Sequence, residues 1–209
     1  MDHLQHLIER YPQLGAVKSE INTVFTIIAE SFAAGGKLLI AGNGGSASDA
    51  EHIVGELMKS FVKKRNLPAH FVSDLQVVDS QIAEYLLPRL QPGLPAIALS
   101  GHTSLNTAVI NDIDGNIIFA QQLYGYGKEG DVFLGISTSG NAKNVLHAAA
   151  VAKAKKMKII ALTGGNGGKL RNFADVCLIV PETETYKIQE LHLPIYHCLC
   201  MMLEEHFFQ

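Results

Sequence analysis

The sequence predicts an α/β protein: a three-layer α/β/α sandwich on a five-stranded parallel sheet, with extra helices at the N- and C-termini. Three observations predict it. Short continuous apolar runs bounded by small residues are the mark of strands buried on both faces. These runs alternate with helix-patterned segments, as parallel strands joined by crossovers require. Three segments also repeat one theme, an apolar run, then a small-residue loop, then a helical pattern: KLLIAGNGGSASDA, DVFLGISTSGNAKNVLHAAAVAKA and KIIALTGGNGGKLRNFA.

The elements follow in order. The chain opens with helix-like material in which Val17, Ile21, Val24, Phe25 and Ile28 recur at helical spacing. The strands are expected at Leu38–Ala41, Ala96–Leu99, Val132–Ile136, Ile159–Leu162 and Val176–Val180. Between the first two strands, Asn66–Gly93 fits the alternation poorly. It carries Pro68, Pro88 and Pro92 around a helix-like middle, LQVVDSQIAEYLL, and reads as an insertion at about 66–93. The last helix runs from about Thr185 to Phe207, with an apolar stripe of Ile188, Leu191, Ile195, Leu199, Met202 and Leu203. Residues 1–209 are expected to form a single domain, since the length suits one core and no linker interrupts it.

Composition narrows the function. A hydrophobic content of 47% supports a full core, and a net charge of -3 argues against a general nucleic-acid-binding surface. The N-terminus has neither a basic start nor a long apolar run, and no segment is apolar for the ~18 residues of a membrane span. A cytoplasmic protein that binds neither nucleic acid nor membrane is expected. Cys177, Cys198 and Cys200 match no zinc-finger spacing and read as reduced, buried thiols.

Ligands of open parallel sheets bind beyond the carboxyl ends of the strands, where the small-residue loops fall. In GISTSGN, Ser137, Thr138 and Ser139 offer three hydroxyls before a helix N-terminus, more than a helix cap needs and well suited to a phosphate monoester. GNGGS is neither a Rossmann nor a Walker loop, and its Asn43 suits a polyhydroxylated ligand. TGGNGGK imitates a phosphate loop but reads better as a tight turn into a helix. His52 and Glu56 are four apart, so they share a helix face and could chelate zinc or pair a base with a metal. Alone, the pair reads more simply as a surface hydrogen bond. Gln189 and His197 are eight apart on the last helix and can reach one neighbourhood, with Pro194 between them expected to bend the rod and help aim His197. His197 could equally be a hydrogen-bonded core histidine, and His192 is a rival ligand.

Together the blocks GNGGSASDAEH…E, IND, GISTSGN and IQELH…H, in this order, resemble the sugar isomerase (SIS) family, most closely its phosphoheptose isomerase branch. The resemblance spans nearly the whole chain except Asn66–Gly93. It implies the SIS fold and interconversion of sedoheptulose 7-phosphate with D-glycero-D-manno-heptose 7-phosphate, for surface-polysaccharide heptose. It implies zinc held at His52, Glu56, Gln189 and His197. It implies substrate contacts at Asn43, Gly44, Gly45, Glu56, Asn111, Asp112, Ser137, Thr138, Ser139 and Gln189, and a homotetramer with active sites shared between subunits. Aldose–ketose isomerisation through an enediol needs a base and an acid, roles assigned to Glu56 and His197.

The sequence departs from that pattern in three places. Ala142 stands where several members have serine, His102 where aspartate is common, and the 66–93 segment is longer than usual. A different reading is a non-catalytic SIS tetramer that acts as a binding adaptor, such as a replication-initiator-associating protein. Those proteins typically lack the residues matching Glu56 and His197. A phosphosugar-sensing regulator would need a helix-turn-helix that the roughly 35 residues before the first strand cannot hold.

Overall fold

The computed structural model describes residues 2–208. Five strands, β1 (Leu38–Ala41), β2 (Ala96–Ala98), β3 (Val132–Ile136), β4 (Lys158–Thr163) and β5 (Val176–Ile179), form one sheet in the order β2-β1-β3-β4-β5. Every pairing is parallel, with Leu38 opposite both Ala96 and Val132. The expected strands lie within a residue of the observed ones, because each is an apolar run with nowhere to go but the interior. Successive residues of β1 show the two-faced burial. Leu38 and Ile40 join one core, Leu39 and Ala41 the other, and all four are buried.

Helices cover both faces. On one lie α1 (His3–Arg10), α2 (Lys18–Ala33), α3 (Gly45–Met58) and α9 (Thr185–Phe207), with a 3-10 turn at Pro12–Val17 between the first two. On the other lie α7 (Ile118–Tyr126) and α8 (Lys143–Ala154). The N-terminal helical pattern is thus split: Val17 closes the 3-10 turn, and α2 buries Ile21, Val24 and Ile28. The terminal helix spans the expected residues and passes through Pro194 without interruption, burying Ile188, Leu191, Ile195, Leu199 and Leu203. The missing Pro194 N–H leaves the Glu190 carbonyl without its helical donor.

The 66–93 segment contains two short helices, α4 (Ala69–Val78) and α5 (Ser80–Leu86), the second capped by Asp79. Of these, α4 buries no residue and α5 only Ala83. The short helix α6 (Thr103–Asp112) follows β2. No described helix is long and apolar enough to cross a membrane.

Strand order reverses at β1, so the loops after β1 and β3 flank a switch-point crevice, where open α/β sheets take ligands. Asn43 and Asn144 bridge that crevice with two reciprocal side-chain hydrogen bonds, both 2.9 Å.

Candidate active site

The site is built on two helices from opposite ends of the chain, α3 and α9. Gly44 opens α3 at φ 56°, a left-handed conformation that favours glycine, and Gly45 follows. A Cβ at Gly45 would stand 2.6 Å from Gln189 Nε2, so the glycine admits the Gln189 side chain against the loop. Seven residues further along α3 and eight further along α9, the helices meet again: the His52 and His197 rings stand 5.0 Å apart, edge to face. The two helices therefore run side by side in the same direction, which turns distant sequence positions into neighbours.

Around this second meeting point the side chains form a network. His52 Nε2 lies 3.2 Å from Glu56 Oε1, and His52 Nδ1 lies 3.0 Å from the Tyr196 hydroxyl. Tyr196 donates to Asp49 Oδ1 at 3.3 Å. Glu56 Oε2 also takes the Lys59 ammonium at 3.2 Å. Burial lowers the His197 pKa, assisted by His52 and opposed by Glu56, which favours the neutral ring. Burial raises the Asp49 carboxyl, offset by the Tyr196 hydrogen bond and by His52. The Tyr196 phenol is pushed up by burial and by Asp49. His197 Nε2 is buried without a partner. A cavity of about 350 Å³ opens beside His197, between α1 and α9, with His6, Arg10, Tyr11 and Phe61 among its walls.

Gln189 touches the loop end of α3, roughly 10 Å of helix from His52. Among the described residues no three His, Cys, Asp or Glu side chains converge closely enough to hold a metal ion. His192, the rival in sequence, is fully buried with Nε2 3.4 Å from the Thr163 carbonyl oxygen, and burial lowers its pKa to about 4. It belongs to the core beneath β4. The three cysteines are unpaired, and burial drives Cys198 up to about 12.

The serine loop lies at the same rim of the sheet. Ser137 N–H donates to the Leu162 carbonyl and Gly164 N–H to the Thr138 carbonyl, both at 3.0 Å, so the loops after β3 and β4 are tied together. Gly140 and Gly168 are both left-handed, and a Cβ on either would collide with the other loop's backbone. The TGGNGGK stretch is accordingly a turn locked against the serine loop, and only a short 3-10 segment, Leu170–Asn172, follows it. The helix-cap role for the hydroxyls is excluded: α8 starts after Ala142 with no side-chain cap. Ser139 Oγ instead accepts from Asn141 N–H at 3.2 Å, while the Ser137 and Thr138 hydroxyls have no protein partner among the described residues. Thr138 and Ser139 open onto a cleft of about 430 Å³ that also includes Gly164, Asn166 and Thr183.

Asn111 and Asp112 end α6, exposed and bonded to each other at 2.8 Å. No described interaction joins them to the His52 network. His102 precedes α6, its ring 5.7 Å from that of Tyr126.

Four residues of this architecture were not singled out from sequence. Asp49 sits one turn before His52 and Tyr196 beside His197, so helical spacing from the histidines was the available signal. Arg65 and Glu204 carried no such signal. Their side chains are fully buried, with Arg65 Nε 2.9 Å from Glu204 Oε1. Glu204 also accepts the N–H groups of Phe61, Val62 and Lys63 at 2.8–3.0 Å. Burial opposes ionisation of Glu204, but these donors with Arg65 hold its carboxyl below the usual range. The Arg65 guanidinium donates to the carbonyls of Glu56 (3.0 Å), Leu57 (2.6 Å) and Pro92 (3.2 Å). One ion pair thereby ties the end of α3 to α9 and seats Phe61 5.4 Å from the His197 ring.

A doubly covered parallel sheet with anion-ready loops at its carboxyl rim is the setting of a SIS domain, and the SIS domain family model matches residues 80–164. Over 189 residues the chain is 40% identical to a phosphoheptose isomerase of Aneurinibacillus thermoaerophilus, covering 90% of this chain and 82% of that one. It is 42% identical over 177 residues to that of Thiobacillus denitrificans, covering 83% and 77%. The solved phosphoheptose isomerase of Neisseria gonorrhoeae superposes with a TM-score of 0.76 at 30% identity, covering 97% of this chain and 95% of that one. That of Francisella tularensis gives 0.77 at 34%, covering 94% and 91%. The chain belongs to the phosphoheptose isomerase family of SIS-domain proteins.

Proposed function

We propose that the protein is an aldose–ketose isomerase that interconverts sedoheptulose 7-phosphate and D-glycero-D-manno-heptose 7-phosphate in the cytoplasm, supplying heptose for surface polysaccharide. The observation that carries this reading is the meeting of Glu56 and His52 with His197, on the α3–α9 seam whose loop end opens at the sheet rim. Family membership supports the same chemistry, and the presence of both Glu56 and His197 speaks against the adaptor.

The serine loop grips the phosphate through Ser137, Thr138 and Ser139, binding energy remote from the reacting carbons. Asn43, Gly44, Gly45 and Gln189 contact the sugar hydroxyls from the crevice. Glu56 removes the C1 proton of the ketose. The C1–H electrons form the C1=C2 bond while the C2 oxygen takes a proton from His197. Glu56 then delivers its proton to C2, and His197 recovers one from the C1 hydroxyl as the aldehyde forms. Burial lowers the His197 pKa, which makes its protonated ring a stronger acid toward the C2 oxygen.

Zinc is the metal this reading takes, since two imidazoles and a carboxylate are donors of the right type and His197 Nε2 is buried without a partner, but in the single chain these groups do not converge on one ion. His52, Glu56, Gln189 and His197 would hold it. When bound, it supplies Lewis-acid polarisation of the carbonyl. We assign Asn111 and Asp112 to substrate contacts in a homotetramer whose active sites are shared between subunits. Their exposure and their separation from the His52 network support that role.

The test is incubation with sedoheptulose 7-phosphate, with and without a chelator, following aldose by NMR. Turnover that zinc restores is expected, and Glu56→Gln and His197→Ala should each lower it at least ~100-fold. Wild-type turnover in both variants, or none in the parent protein, would reject the reading.

A further inference from the structure

We infer that Arg65 is a positioning residue for the isomerisation proposed above: its buried guanidinium closes the last turn of α3, which carries Glu56, and holds that turn in register with His197 on α9. The effect on turnover rests on the isomerase reading; the clamp itself does not.

Glu56 lies in the last turn of α3, which ends at Met58. The carbonyls of a last turn have no donor within their own helix, and helix ends fray unless another donor takes its place. Here the ordinary donors are diverted. The chain leaves the helix extended at Lys59 (φ -136°, ψ 175°). The Ser60 N–H, which a further turn would return to the Glu56 carbonyl, donates to Gln91 Oε1 at 2.7 Å instead. The Phe61 N–H, which would return to Leu57, donates to Glu204 Oε1 at 2.8 Å. Arg65 fills both places. Its Nη2 donates to the Glu56 carbonyl at 3.0 Å and its Nη1 to the Leu57 carbonyl at 2.6 Å. One planar fork reaches both at once, which the point charge of an ammonium does not.

The remaining nitrogen, Nε, donates to Glu204 Oε1 at 2.9 Å. Glu204 stands seven residues after His197 on α9, so the two share a helix face. Its carboxylate also gathers the Val62 and Lys63 N–H groups, at 2.8 and 3.0 Å, so the chain wraps around it and sets the Phe61 ring 5.4 Å from that of His197. The guanidinium thereby fixes the offset between the turn of Glu56 and the helix of His197. It has little room to move: the Phe208 ring covers it at 4.5 Å, and the Arg65 and Glu204 side chains are 1% and 0% exposed. A buried ion pair adds little stability over well-packed apolar residues of the same volume. What this pair supplies is direction, with bonds aimed at two helices at once.

Arg65→Lys keeps the charge and loses the fork. Its kcat with sedoheptulose 7-phosphate should fall about 10- to 100-fold, the scale of a small misplacement of a reacting group. KM should stay near the parental value, because the substrate contacts at the sheet rim are untouched. Nuclear Overhauser contacts between the Phe61 and His197 rings, expected in the parent protein, should be lost, and Arg65→Met should behave alike. A parental kcat per folded molecule in Arg65→Lys, with the folded fraction read by circular dichroism on the same sample, overturns the inference, since a merely structural role costs only folded protein. If neither variant folds, the parent protein decides. Its Phe61, Val62 and Lys63 amides should exchange hydrogen as slowly as those of mid-α3, and exchange at the rate of an open loop overturns the clamp. Slow exchange and the ring contacts in a parent protein that turns over no heptose phosphate would uphold the clamp while rejecting the isomerase.

Discussion

The α3–α9 seam and the 66–93 insertion are opposites within one chain. The seam joins residues some 140 positions apart through Tyr196 on His52, Gln189 on Gly45 and the buried pair Glu204 on Arg65. The insertion is local, and its helices bury only Ala83 while Val77 is 88% and Val78 79% exposed. Rigidity has been concentrated where a base and an imidazole must keep a fixed separation, since a misplacement of about 1 Å can cost ~100-fold in rate. The insertion leaves apolar surface to be covered by something other than its own core, which suits the subunit contacts of the proposed tetramer.

The sharpest way to break this contrast is at the seam's ion pair. Glu204→Ala should strand a buried guanidinium and release three backbone N–H groups, costing about 3–5 kcal/mol, read as a lowered denaturation midpoint. Isomerase activity should fall further than the unfolded fraction explains, because Arg65 also holds the Glu56 carbonyl. Next comes acidity. His192 has a folded pKa of about 4 against 6.5 unfolded, so the unfolded chain takes up its proton first as pH falls. Its contribution is whole above pH 6.5 and is lost between there and pH 4, to about 3 kcal/mol. Urea titrations across that window should show the loss, and His192→Gln should flatten the slope.

A smaller effect is expected where two loops interlock. Gly140→Ala adds left-handed strain and a collision with the Gly167 carbonyl, about 1–3 kcal/mol, and should raise KM more than it lowers kcat if the serine loop binds phosphate. Gly165→Ala, at φ 59° with nothing within 4 Å, should carry only the conformational part, about 1 kcal/mol. Least of all, Val77→Ser with Val78→Ser should leave unfolding of the isolated chain within about 0.5 kcal/mol, while weakening self-association in analytical ultracentrifugation. Unchanged association would remove the insertion from the proposed interface.

Much of the frame was legible in advance. The apolar runs around Leu39, Phe133 and Ile160 announced strands because a two-faced buried strand has no polar positions to disguise it, and the Ile188–Leu203 stripe announced a helix by its period. The 66–93 segment was legible only as an exception. Its prolines marked breaks, but nothing in it said that α4 would bury no side chain. Near the site, His52 with Glu56 was visible as a helical pair. The relation of His52 to Tyr196 was not, since no local rule connects residues on separate helices.

By itself, then, the sequence determined the local periods: which runs are strands, which stripes face the core, where glycine permits a left-handed turn, and which histidine shares a helix face with a carboxylate. These depend on bonded geometry and on burial a few residues at a time. Only the tertiary structure decided that α3 and α9 lie side by side in the same sense, that His192 is sealed beneath β4 while His197 meets His52, and that Arg65 finds Glu204. Such choices depend on how whole helices pack across the sheet, a free-energy balance shared among dozens of distant contacts.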